Sequence, residues 1–295
     1  MFSFPQEMVI QPAVLFALLS MTLVGVADFV YKRAALAGAV PSSFLLVQSW
    51  FFGATALLFG IASGSLRFHP SLLLGPAAAA VVFAGARMFL ISLRRGEATV
   101  NTPIFRLSFV VTVALAILFL GEQFTLRKLA GFALAATSIL LLTGFSVGRF
   151  VRDGLSQGKR KPIVLAMAAM GCMGLLHFLY AIAARLGATG PSFIFSQFCT
   201  FTLIALFHAL CWERGLRLDR AVWTNAPLAG IFTSAGFICL IMALQRGEAS
   251  VAVPISQMSF VVTTVLAVIA YGEGFTLRKS GGLAAALLTI LAFNR

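Results

Sequence analysis

The chain has 295 residues, 60% of them hydrophobic and only 11% charged, and a mean hydropathy of +0.99; soluble domains carry about 25% charged residues, so a water-soluble fold is excluded. The formal net charge is +13, but Lys and Arg fall in short turns between apolar stretches instead of along one face. That is topology-setting charge beside anionic lipid, not a nucleic-acid surface.

Apolar stretches of about 20 residues cross a hydrocarbon core about 30 Å thick. Gly, Pro and charge divide the chain into ten such spans, at 12–33, 41–63, 71–93, 98–120, 126–147, 162–184, 191–212, 223–245, 249–271 and 277–294. No basic segment precedes the first, and its apolar run continues through Val30, so it reads as a spanning helix and not as a cleavable signal peptide. Most connections are short, which predicts antiparallel neighbours. The longest is a basic, Gly/Ser-containing linker at 148–161 between a first unit, 1–147, and a second, 162–295. Cys172, Cys199, Cys211 and Cys239 lie in or at the ends of apolar segments with no CxxC spacing, so neither a metal site nor a disulfide framework is indicated.

The two units are copies. Arg95 to Lys128 reads RGEATVNTPIFRLSFVVTVALAILFLGEQFTLRK, and Arg246 to Lys279 reads RGEASVAVPISQMSFVVTTVLAVIAYGEGFTLRK. Without a gap, 21 of these 34 positions are identical. Gly25 and Tyr31 correspond to Gly174 and Tyr180, and Pro41-Ser42 to Pro191-Ser192. Because each copy has five spans, an odd number, the second enters the bilayer from the side where the first leaves it. The expected fold is all-α, with ten transmembrane helices in two inverted five-helix repeats, the plan of many secondary transporters. Odd-numbered connections hold fourteen Lys and Arg, even-numbered connections and the tails six. The positive-inside rule therefore predicts the odd connections in the cytoplasm and both termini outside.

The hairpin R-G-E-A-[ST]-V, an early-helix Pro and a Gly-Glu pair before the next helix together resemble the EamA-type repeat of the drug/metabolite transporter superfamily. The residues that carry the resemblance are Gly96, Glu97, Pro103, Gly121 and Glu122, then Gly247, Glu248, Pro254, Gly272 and Glu273. The resemblance covers nearly the whole chain and implies a bundle around a central cavity without an ATPase domain. It also implies a small-molecule substrate: members export amino acids, metabolites and drugs, or carry sugars and nucleotide-sugars. It leaves open the substrate, the direction of movement, the coupling ion and the oligomeric state. A bacterial-type cytoplasmic membrane is the expected location. No cofactor is expected: the sequence holds no GxxxxGK[ST] phosphate loop, no HExxH metal motif and no GxSxG elbow.

Two groups of residues stand out. The repeated ones read mainly as framework. Pro103 and Pro254 kink spans four and nine, either as gating bends or as static kinks. Gly121-Glu122 and Gly272-Glu273 organise tight turns, with Thr125 and Thr276 as N-caps of the next helices. Glu97 and Glu248 suit the positive ends of the helices that follow them.

The unrepeated charges Asp28, Arg87 and Arg106 lie inside spans one, three and four. An Arg at mid-membrane costs about 2.5 to 3.5 kcal/mol on insertion scales, and the second copy has Ile238 and Gln257 in place of the two arginines. All three lie about 8–12 Å beneath the same face. They therefore suit an anion site in which Asp28 fixes an Arg or accepts a proton. The other reading is an internal salt bridge or snorkelling. His177, near the place of Asp28 in the second copy, is either a proton-coupling group or a histidine satisfied by a neighbour. Gln48, Gln197, Tyr31 and Tyr180 are open to substrate contact, as Gln257 is, or to interhelical bonding. The function expected is alternating-access export of a small metabolite or amphipathic compound, with proton coupling open. A channel or a membrane scaffold is the alternative.

Overall fold

A computed structural model describes residues 11–95, 98–144, 148, 150, 151, 157–212, 218–272, 274 and 276–294. Among the described residues every regular element is helical. Proline opens α1 (Pro12–Leu36) and α2 (Pro41–Ala62), where the first N–H has no helical acceptor and the preset φ suits the first turn. The His69 Nδ1 atom accepts from the Ser71 N–H at 3.2 Å, starting a 3₁₀ turn at Pro70–Leu73 that leads into α3 (Leu74–Arg95). Span four is two helices, α4 (Ala98–Arg106) and α5 (Ser108–Leu120), followed by α6 (Leu126–Thr143). The second half runs α7 (Gln157–Arg185), α8 (Gly190–Trp212), α9 (Arg220–Leu244), α10 (Ala249–Ser256), α11 (Ser259–Tyr271) and α12 (Leu277–Phe293). Side-chain caps begin three of them. Thr125 and Thr276 Oγ1 accept from the N–H groups of Lys128 and Lys279 at 3.3 Å each, and Asp219 Oδ1 accepts from Val222 at 2.8 Å.

Nine segments among the described residues are long and apolar enough to cross a membrane, and the tenth, α12, has 17 residues. Leu118, Phe119, Ile269 and Leu277 are each more than two-thirds exposed, the outward face of a helix solvated by lipid. Span five ends at Thr143, short of the expected 147, because Gly144 takes a left-handed φ of +78° and stops the helix. At the other end of the expected linker, α7 already begins at Gln157. Pro103 and Pro254 lie inside helices α4 and α10, and the helical run is interrupted three to four residues further on, at Leu107 and at Gln257–Met258.

The halves interlock. Helix α1 packs on α9, and its counterpart α7 packs on α3; α1 also packs on α11, and α7 on α5. Small residues allow the close approaches. A Cβ on Gly25 of α1 would come within 2.6 Å of both Ser259 O and Val262 Cβ, and one on Gly174 of α7 within 2.8 Å of Ser108 O and 2.4 Å of Val111 Cβ. Each approach is fastened by an equivalent bond: the Thr263 hydroxyl donates to Gly25 O and the Thr112 hydroxyl to Gly174 O, both at 2.9 Å. Helices α6 and α12 pair with each other. A Cβ on Gly131 would meet the Phe293 ring at 2.6 Å, and one on Gly282 would meet Leu142 at 2.5 Å. These glycine approaches, the two threonine bonds and the packing of the central helices are thus repeated, partners exchanged, between the halves.

Candidate functional site at the crossing of the broken helices

Spans four and nine cross at their interruptions. Arg106 is the last residue of α4 and Ser108 the first of α5; Gln257 follows α10 and Ser259 opens α11. Across the crossing, Arg106 Nη1 donates to Ser259 Oγ at 3.3 Å, and Gln257 Nε2 donates to Ser108 Oγ at 2.6 Å. These two bonds are equivalent under the repeat. Residues related by a two-fold axis touch only beside that axis, and in an inverted repeat the axis lies in the membrane plane. The crossing therefore marks mid-depth. The lengths agree: α4 and α10, of nine and eight residues, reach ~12–14 Å inward from their starts.

On one side of the axis the crossing is charged. Asp28 Oδ2 sits 2.9 Å from Arg106 Nη2 and accepts from Ser259 Oγ at 2.9 Å. Gly25 creates this contact, because it lets α1 lie against the start of α11 one turn before Asp28. Asp28 and Arg106 side chains are each 19% exposed, so the pair is mostly but not fully shielded. On the other side the same places hold His177, Gln257 and Ser108. His177 is buried, its ring edge-on to Tyr180 with centroids 6.1 Å apart and its Nδ1 without a hydrogen-bond partner. The third intramembrane charge, Arg87, stands exposed on α3.

The aligned tyrosines and glutamines meet in pairs, one in each half. The Gln48 amide bonds the Tyr31 hydroxyl, and the Tyr180 hydroxyl donates to Gln197 Oε1 at 2.7 Å. The second pair is sealed, with Tyr180 fully buried. The first lies one turn beyond Asp28 on α1 with Tyr31 partly exposed, and it leaves Gln48 Oε1 without a partner.

The framework carboxylates do something different from what their positions in sequence suggest. Gly121 and Gly272 do turn the chain, with φ of +67° and +62°, conformations that favour glycine. Glu122, however, crosses to the other half. Its Oε1 and Oε2 accept from the Ala249 and Ser250 N–H groups at 2.8 and 2.9 Å, capping α10, while Arg185 Nη2 approaches Oε1 at 3.1 Å. The α10 N-terminus is thus satisfied from outside. Glu248, expected to serve it, makes no side-chain cap and instead pairs with Lys128 Nζ at 2.5 Å. Glu97 and Glu273 lie outside the described residues.

Sequence reasoning did not single out Ser108 and Ser259, although both stand in the identical Ser-Phe-Val-Val of the two copies, two residues after Arg106 and Gln257. A repeated hydroxyl next to an unrepeated charge was the available signal. Among the described residues no cluster of His, Cys, Asp or Glu could hold a metal ion, and all four cysteines are free.

Comparison with curated proteins returns no significant match. Twenty-nine chains of solved structures match, and one, titled only as the crystal structure of a protein, superimposes with a TM-score of 0.79. The alignment covers 95% of each chain at 17% identity, which establishes a shared fold. The EamA-like transporter family matches residues 11–144 and again 160–295. These two matches take in both five-span units and both broken helices, and the chain is therefore a multi-pass integral membrane protein of the EamA-like transporter family.

Proposed function

We propose that this chain is a secondary transporter that exports a small organic solute bearing an anionic group, and that Arg106 grips that group at the crossing of the broken helices. One observation carries the reading: a mostly shielded guanidinium lies at the symmetry axis, in only one of two equivalent sites. A framework role would be served as well by the neutral pair of the other half. Arg106 offers a planar fork of donors matched to carboxylate or phosphate, and Arg87 adds positive charge from α3. Tyr31 and Gln48, one turn away, serve the uncharged part of the substrate. Interlocked inverted halves supply the motion, since exchanging their two packings opens the axis to one side and then the other. The surplus of Lys and Arg in odd-numbered connections supports an orientation with both termini outside.

Reconstitution into sealed vesicles tests the proposal. Saturable counterflow of organic anions, abolished in a correctly inserted Arg106→Gln protein, is the expected result. Flux that does not saturate would identify a channel. Full counterflow by Arg106→Gln would remove the anion site.

A further inference from the structure

We propose that Asp28 is a built-in competitor for Arg106: a substrate anion displaces it, and Asp28 leaves the pair as a protonated, neutral carboxyl, so that one proton moves with each anion in the same direction. The inference rests on the reading of Arg106 as the anion-binding group. Its basis is charge balance at a shielded place. The resting cluster holds one positive and one negative group 2.9 Å apart, each about four-fifths buried, with the Ser259 hydroxyl bonded to both. An entering anion added to that cluster leaves it with a net negative charge in low dielectric. Removing one partner of such a pair strands the other, and a stranded carboxylate recovers neutrality by taking a proton from the water of the open side. Binding one anion and one proton together leaves the net charge of the cluster at zero, as it was before.

Among the described residues Asp28 is ion-paired with Arg106, while Lys32, one turn on along α1, lies over the Tyr271 ring. Among the elements packed against α1, α10 carries no ionisable residue. α9 carries Cys239 and, at its start beyond the contact of Arg33 Nε with Asn225, Arg220. α11 ends in Tyr271, which lies against Phe29 and beneath Lys32. On α1 itself Tyr31 follows one turn on, its hydroxyl engaged by Gln48. On α3, Arg87 is exposed. The Ser259 hydroxyl is a neutral partner at hand, and it serves either state, donating to the carboxylate or accepting from the protonated acid. The equivalent cluster of His177, Gln257 and Ser108 lacks both the competitor and the cation. The coupling device is therefore built once, on one side of the axis. With an inward proton gradient, export by this scheme runs only while the outward solute gradient exceeds it.

The first test needs no substrate. The chain contains three aspartates, Asp28, Asp153 and Asp219, so carboxyl-labelled aspartate gives three carbon resonances, with Asp28 assigned by Asp28→Asn. In full-length protein at neutral pH the Asp28 signal should stand at its ionised position, and Arg106→Gln should move it to the protonated one. An Arg106→Gln protein whose Asp28 stays ionised overturns the proposal.

The second test uses Asp28→Asn, which keeps the cation and so does not strand a charge. Binding of acetate, lactate and benzoate to the wild type should tighten about tenfold per unit of falling pH, and the slope should vanish in Asp28→Asn. In vesicles, wild-type anion flux should carry one proton in the same direction. Flux without a proton, or a pH slope retained in Asp28→Asn, overturns the coupling. Flux retained in Arg106→Gln, or no anion bound by the wild type at any pH, instead removes the anion site itself, while the labelled carboxyl decides the fate of Asp28 on its own.

Discussion

The two sides of the crossing are built from the same parts and do different things. On both, a span-one or span-six helix is drawn in by a glycine, fastened by a threonine and brought against a serine that opens a half-helix. One side then carries Asp28 and Arg106, the other His177 and Gln257. Since the backbone arrangement is matched, the charges are not required by the fold. The neutral side shows that a hydrogen-bonded crossing is sufficient to join the halves, and the charged side shows what was added to it.

Arg106→Gln should break this comparison most severely, because it gives both sides a glutamine at the crossing and leaves Asp28 without its partner. Loss of one partner from a buried pair costs about 3–5 kcal/mol, and a comparable loss of anion binding, about 3 kcal/mol, is more than 100-fold in affinity. Thermal unfolding in detergent and counterflow measure the two separately. The double variant Asp28→Asn/Arg106→Gln, neutral like the other side, should regain most of the stability and none of the binding. If it regains both, the charges serve packing alone.

The frame beneath the comparison has its own asymmetry in Glu122 and Glu248. The Glu122 side chain is 2% exposed and accepts two backbone N–H groups and a guanidinium, whereas the Glu248 side chain is 46% exposed with one ion pair. Hydrogen bonds to a charged group are worth about 1.5–3 kcal/mol, so Glu122→Ala should remove about 2–4 kcal/mol. Glu248→Gln should cost less, about 1–2 kcal/mol, because the buried Lys128 keeps its bond to Gln123 O and the amide can still accept from it. Equal shifts in the unfolding midpoint would mean that Glu122 does no more than complete its local turn.

The glycines sharpen the comparison further. Added methyl groups on Gly25 and Gly174 meet equivalent atoms, and overpacking typically costs about 1–3 kcal/mol, so Gly25→Ala and Gly174→Ala should destabilise alike. Transport should separate them. Only Gly25→Ala moves the helix that carries Asp28, and its loss of flux should be several-fold the greater.

How much of this the sequence held follows from the range of each interaction. Span positions, the odd repeat and the intramembrane charges were legible because they depend on local apolarity and on a copy that can be compared with itself. The pairing of Asp28 with Arg106 was legible only as a shared depth, since depth follows from residue counting while azimuth around a helix does not. Glu122 was misread for a related reason. Its sequence neighbours suggested a turn, and the α10 amides it caps lie 127 and 128 residues away. The prolines signal a bend in each span, but not the interruptions at Leu107 and Gln257–Met258, which fall where the two spans touch each other. That placement is tertiary, and no single-span pattern contains it.

The smallest effect belongs to Gln257→Leu, and it tests the neutral side alone. The Gln257 amide donates one bond, to Ser108 Oγ at 2.6 Å, and its removal exposes no buried charge. Ser108 opens α5, and a serine hydroxyl in a helix readily turns to a carbonyl of the preceding turn, so the orphaned oxygen finds a new partner. The net cost should be about 1 kcal/mol, read as a small drop in the unfolding midpoint. Anion affinity and its pH slope should stay within about twofold of wild type, well inside the ~1.4 kcal/mol that a tenfold change represents. A loss of binding as deep as that of Arg106→Gln would mean that the substrate lies across the axis and is held from both halves, and the division into a charged working side and a neutral joining side would have to be abandoned.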